Sequence, residues 1–117
     1  MATYRGHRGP TVGDPCDWIV EKDGQPFDSI MSQCVLNHSP DGFSWGYYGS
    51  GPAQLALALL LDVSDRGMAT QHHHDFMYEV VGGFPQEHSW VLTGEFIRDW
   101  VAEKERRALQ QVGGGVR

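Results

Sequence analysis

NHSPDGFSWGYYGSGPAQLALALLLD, residues 37–62, runs from a turn through an aromatic segment and a glycine-rich corner into an almost wholly apolar helix. Asn37, Ser39, Pro40, Asp41 and Gly42 are turn formers, because their side chains bond nearby backbone or pre-set its dihedrals. Phe43-Ser44-Trp45 reads as a strand with Phe43, Trp45 and Tyr47 on one face and Tyr48 on the other. Ser50 is the expected N-cap of the helix that follows, and Pro52 falls in its first turn, where a missing N–H costs nothing. Ala53 to Leu61 are strong helix formers, and Gln54 is the one polar residue among them. A helix apolar on nearly every side is expected beneath a sheet or at a subunit contact.

Outward from this centre, the N-terminal half carries strand signals. Thr3-Tyr4-Arg5 reads as a short edge strand. Asp17 to Glu21 reads as a second strand, from its β-branched and aromatic residues, and Gln33 to Leu36 as another. Asp23-Gly24 marks a tight turn, and Gly9-Pro10 and Asp14-Pro15 are loop signals. The C-terminal half carries helix signals. One helix is expected from about Gly67 to Val81, stopped by Gly82-Gly83, with His73 on its core side, His74 in solvent and His72 at the boundary. Trp90-Val91-Leu92 is a short extended piece or a helix lead-in. Thr93 is the expected N-cap of a last helix to about Gln111, with Phe96, Ile97, Trp100 and Val101 inward and Arg98, Glu103 and Arg106 outward. Strands before helices predict an α+β fold: a small antiparallel sheet packed on one side by about three helices. Residues 1–112 are read as one domain and 113–117 as a flexible tail.

Composition narrows the function classes. A chain of 117 residues suits one domain. Fifteen acidic against nine basic residues give a net charge of -6, which argues against a nucleic-acid partner, since the phosphate backbone calls for a basic face. Cys16 and Cys34 form no CxxC pair and are expected to be reduced thiols. With no apolar N-terminal segment and no apolar run longer than Leu55 to Leu61, neither a signal sequence nor a membrane partner is expected, and the expected location is cytoplasmic.

The site reading centres on the corner Gly46 to Pro52. Its glycines would let a ligand approach the backbone, and a helix N-terminus offers free N–H groups and partial positive charge to an anion. The named phosphate and nucleophile motifs fail: Gly51 is followed by Pro52 rather than Lys, Gln54 stands where a dinucleotide fingerprint needs glycine, and Ser50 lacks the flanking glycines of GxSxG. The residues expected to contact a ligand are Gly49, Ser50 and Gly51, with Tyr47, Tyr48, Gln54, Asn37, His38 and Arg5. His72, His73 and His74 point about 100° apart, so all three cannot meet one ion, and the i, i+4 spacing of HExxH is absent. A metal centre would have to recruit His38, His88, Asp75 or Cys34 through the fold, so neither a resident metal nor any other cofactor is expected. His38 and Ser39 could serve as base and nucleophile, but no third, orienting group is evident nearby.

The segment Asn37 to Asp62 resembles the signature NHSPxGFxWGYxGSGPAQLALALLLD of an uncharacterised domain family of small phage, bacterial and archaeal proteins. Asp75 to Val81 and the run from Trp90 to Trp100 resemble its C-terminal half, so the likeness spans residues 3 to 101. The chain departs from it at Tyr48, where a small residue is usual, and in its histidine run. The resemblance implies a stand-alone domain found on mobile elements and names no activity. The expected function is therefore non-enzymatic binding of a small anionic ligand, a nucleotide such as a host defence signal, by a homo-oligomer. One alternative is an acidic inhibitor that binds a host protein. Another is a small hydrolase using His38 and the His72–His74 region.

Overall fold

The computed structural model describes residues 2–9 and 18–115, with side chains through Leu109. Cys16, Pro10, Asp14, Pro15 and the expected strand start at Asp17 lie outside the described residues. The fold is α+β. Four strands, β1 (Thr3–Arg8), β2 (Trp18–Lys22), β3 (Gln25–Pro26) and β4 (Trp90–Thr93), form one antiparallel sheet in the order β3-β2-β1-β4. Four helices, α1 (Ile30–Val35), α2 (Ser50–Val63), α3 (Arg66–Glu79) and α4 (Gly94–Gly115), supply the rest, with a short 3-10 turn at Val81–Gly83.

The sheet forms because its residues alternate. Tyr4, Gly6, Val20, Trp90 and Leu92 are buried, while Arg5 and Val91 between them are exposed. β2 and β3 close through Asp23 and Gly24, both at positive φ (51° and 81°), the two-residue geometry whose twist suits a hairpin. Thr3 to Arg5 is not an edge strand. It begins β1, which pairs with β2 on one side and β4 on the other. Its second partner, Trp90 to Thr93, lies more than eighty residues away in sequence; the local pattern offered Trp90 to Leu92 as a short extended piece but carried no sign of the pairing.

Two expected strands are absent. Gln33 to Leu36 belongs largely to α1, whose start is fixed by Asp28 accepting a hydrogen bond from the Ile30 N–H at 3.0 Å. The acceptor just ahead of the helix outweighs the strand propensity of Val35, and Leu36, just past the helix, is extended. Phe43-Ser44-Trp45 is a loop with all three residues buried in succession, so the alternation that would send Tyr47 inward does not apply. Gly42 and Gly46 bracket it at positive φ (100° and 86°). A Cβ at Gly46 would stand 2.7 Å from the Gln86 Cα and 2.8 Å from the Phe84 carbonyl oxygen, so only glycine fits.

The central helix is as expected in character and differs at its start. Gly49, not Ser50, is the N-cap: its carbonyl accepts from the Ala53 N–H at 3.0 Å. Every residue from Gly51 to Leu60 is buried, so a single chain covers all sides of α2. The sheet is tied to the end of α2 by Asp62, which accepts from the Tyr4 hydroxyl and pairs with Lys22 at 2.8 Å. Burial first, and this hydrogen bond second, push the Tyr4 phenol above its ordinary pKa. α3 is capped by Asp65, accepting from Met68 N–H at 2.8 Å. α4 is capped by Thr93 as expected, accepting from Phe96 N–H at 3.0 Å, and it runs through the glycines at 113–115. Ile97 and Val101 face inward, and Phe96 is exposed. Among the described residues, no helix is long and apolar enough to cross a membrane.

Candidate functional site: a three-histidine cluster

The residues expected to bind a ligand divide into two groups in space. At the glycine corner, α2 begins under the protein's own side chains. Ser44 Oγ and Tyr47 Oη lie 2.7 Å apart in a hydrogen bond. A Cβ at Gly51 would stand 1.8 Å from that Ser44 Oγ and 3.2 Å from that Tyr47 Oη. The space next to Gly51 is thus filled from within. Tyr48 is exposed and packs on Tyr78, with ring centroids 5.0 Å apart. Arg5 is exposed in mid-β1, opposite Glu21 on one side and Val91 on the other. Ser50 and Asn37 are exposed.

Gln54 stands apart from the other members of that list. It is fully buried, and its amide is saturated. Oε1 accepts from the His38 N–H at 2.7 Å and the Ser39 N–H at 3.0 Å. Nε2 donates to Ser32 Oγ at 2.8 Å and to the Leu36 carbonyl at 3.0 Å. Two donors and two acceptor positions are the whole inventory of a glutamine, so none is left for a ligand. The amide instead clamps the end of α1 and the turn after it against α2. Gln33 adds a bond from Nε2 to the Ser39 carbonyl at 2.8 Å.

That clamp holds His38 over α3. His38 Nε2 lies 2.9 Å from His73 Nε2. His73 is 2 % exposed, and its Nδ1 lies 2.9 Å from the Ala69 carbonyl and 3.0 Å from the Thr70 carbonyl. Carbonyls only accept, so Nδ1 carries the hydrogen and Nε2 of the neutral ring presents a lone pair. His74, one residue on, is exposed, and its ring centroid lies 4.2 Å from that of His73 and 5.5 Å from that of His38. One ring nitrogen from each of His38, His73 and His74 can be chosen such that all lie within 4.8 Å of one another. His72, His88, Asp75 and Cys34 are not members of this group; Asp75 faces Lys104 at 3.6 Å.

The electrostatics favour uncharged rings at His38 and His73. Burial holds His73 below the ordinary histidine pKa, and the neighbouring His74 and His38 lower it further, against the opposing pull of the Ala69 and Thr70 carbonyls. Burial and His74 likewise lower His38. Neutral imidazoles are the form in which histidine ligates a metal. A histidine that ligates through one nitrogen commonly donates its other N–H to a backbone carbonyl, as His73 does. Two nitrogens on one tetrahedral zinc stand roughly 3.3 Å apart, given bonds of about 2.0–2.1 Å, close to the observed His38–His73 spacing.

The 100° argument holds for the three consecutive histidines: His72 is outside the group. Chain folding recruited His38, one of the four residues that the sequence offered as partners. The role of Gln54 as a clamp was missed, and its signal was in view as the single polar residue in an apolar helix. His38 Nε2 pairs with His73 rather than with Ser39.

No curated protein and no solved structure matches the chain. Residues 4–103 match the model of a family of unknown function, DUF6166, and the chain belongs to that family.

Proposed function

We propose that His38, His73 and His74 form a divalent transition-metal centre and that the protein is a small histidine-dependent hydrolase. The carrying observation is the approach of His38 Nε2 to His73 Nε2 at 2.9 Å, with His73 Nδ1 already committed to backbone carbonyls. Nitrogen donors select zinc, copper or nickel over magnesium and calcium, and a three-histidine set suits zinc. Three protein ligands leave one position open, as in catalytic rather than structural zinc sites. An ion held there supplies a Lewis acid that polarises a water, a carbonyl or a phosphoryl oxygen. The chain's own part is to hold neutral ligands in place, His73 by its carbonyl bonds and His38 by its turn, while the exposed His74 puts the centre at the surface. Binding of a nucleotide-like anion at Gly49, Ser50 and Gly51 draws less support, because Ser44 and Tyr47 occupy that corner and Gln54 is saturated.

The test uses untagged protein, freed of metal by a chelator and titrated with zinc and with cobalt(II). One equivalent bound, with a tetrahedral cobalt spectrum that His38→Ala alters and an affinity that His38→Ala weakens without removing, is the expected result. The zinc form is then assayed on activated carboxylic and phosphoric esters, with turnover expected to be lost in His38→Ala. No uptake sinks the centre, and uptake without turnover on either ester class sinks the hydrolase reading.

A further inference from the structure

Gln54 has a role that its burial does not explain. A buried glutamine near the start of an apolar helix is costly unless every polar atom is paired, and a smaller or apolar residue would avoid the cost. Its four bonds are not spread over the core. All four go to the short stretch Ser32 to Ser39: three to main-chain atoms, of which two, the His38 and Ser39 N–H groups, belong to the peptides on either side of His38. The Leu36 carbonyl fixes the chain entering the turn, and the N–H groups of His38 and Ser39 fix the peptide planes on either side of His38. With those planes set by a buried amide on α2, the imidazole has only its own rotamer left to choose. The observed rotamer places Nε2 against that of His73 on α3.

We infer that Gln54 is a positioning residue for the metal centre, setting its affinity through the orientation of His38. This rests on the metal reading proposed above. Residues that orient a ligand from behind typically change metal affinity by about 10–100-fold when removed.

The experiment is a double-mutant cycle on the full chain, with zinc affinity measured by competition against a chromophoric chelator. Gln54→Met keeps the length of the side chain and removes all four hydrogen bonds. In the wild-type background it is expected to weaken zinc binding by at least about tenfold. In the His38→Ala background, where His73 and His74 retain a weaker two-ligand affinity, it is expected to change binding by less than about twofold, because its route of action is gone. A purely structural role for Gln54 gives the same loss in both backgrounds and overturns the inference, as does a Gln54→Met protein that binds like the wild type. If Gln54→Met does not fold by circular dichroism, Gln54→Asn takes its place, with the amide drawn back by one methylene and the same outcomes read. No zinc uptake by the wild type overturns the metal reading and this inference together, whereas uptake with an unaltered Gln54 variant overturns this inference alone.

Discussion

Ser44 and Gly51 illustrate how far single residues govern the centre of this fold. The hydroxyl of Ser44 sits where a Cβ at position 51 would be, 1.8 Å away, and it is anchored by Tyr47. Gly51→Ala must therefore push Ser44 aside or shift the start of α2, a case of overpacking that costs typically ~1–3 kcal/mol. A fall of that size in unfolding free energy, by urea denaturation at fixed pH, is the expected outcome, and an unchanged midpoint would show the corner to be open. Glycines at this corner were legible in the sequence as special. Their reason was not, since an open anion cradle and a corner closed by its own side chains require the same residues. The difference lies in where Ser44 and Tyr47 point, which rests on a loop that sequence periodicity reads as a strand.

At the scale of elements, α2 dominates. Leu55, Leu57, Leu59 and Leu60 are fully buried, and α2 packs on α3, α1, α4 and the 3-10 turn. Leu57→Ala is expected to cost ~2–5 kcal/mol, because the surrounding helices cannot collapse fully into the space left. For a domain near this size that lowers Tm by roughly 10 °C or more, measurable by thermal circular dichroism. α1 behaves differently. Its apolar Ile30 and Met31 are exposed, and its buried member is Ser32, which bonds Gln54. A polar clamp rather than an apolar stripe docks α1, which is why hydrophobic patterning did not reveal it as a helix. α3 and α4 are joined at the surface by Lys104 to Glu79 at 2.6 Å and by the Trp100 indole donating to Glu79 at 3.1 Å. The hydrogen bond from Lys104 leads the effects that keep the Glu79 carboxyl below its ordinary pKa.

For the whole molecule, the lowered pKa values of His38 and of the buried His73 are expected to make stability depend on pH. His38 and His73 both titrate below the ordinary value of 6.5, so over that window the unfolded chain binds protons that the folded chain resists. The stability contributed by the neutral pair is fully present above about pH 6.5 and is lost as pH falls through the lowered folded values. Metal-free wild type is therefore expected to unfold at lower urea concentration at pH 5 than at pH 7.5, and to lose less of its midpoint when His73 is replaced by Leu. An equal fall in both proteins would place the acid sensitivity elsewhere. The sequence by itself determined the α+β class, the Asp23-Gly24 hairpin, the apolar central helix and the Thr93 cap, because each is written in neighbours a few residues apart, though β4 follows three helices rather than preceding them. Tertiary structure alone decided that β1 lies inside the sheet, that 43–45 is a loop, and that Gln54 ties the turn after α1 to α2. It also decided the histidine cluster: His38 and His73 are 35 residues apart, and their meeting depends on how α2 holds the turn after α1 against α3. No local period encodes such a meeting, because it is set by the packing of side chains from three separate elements.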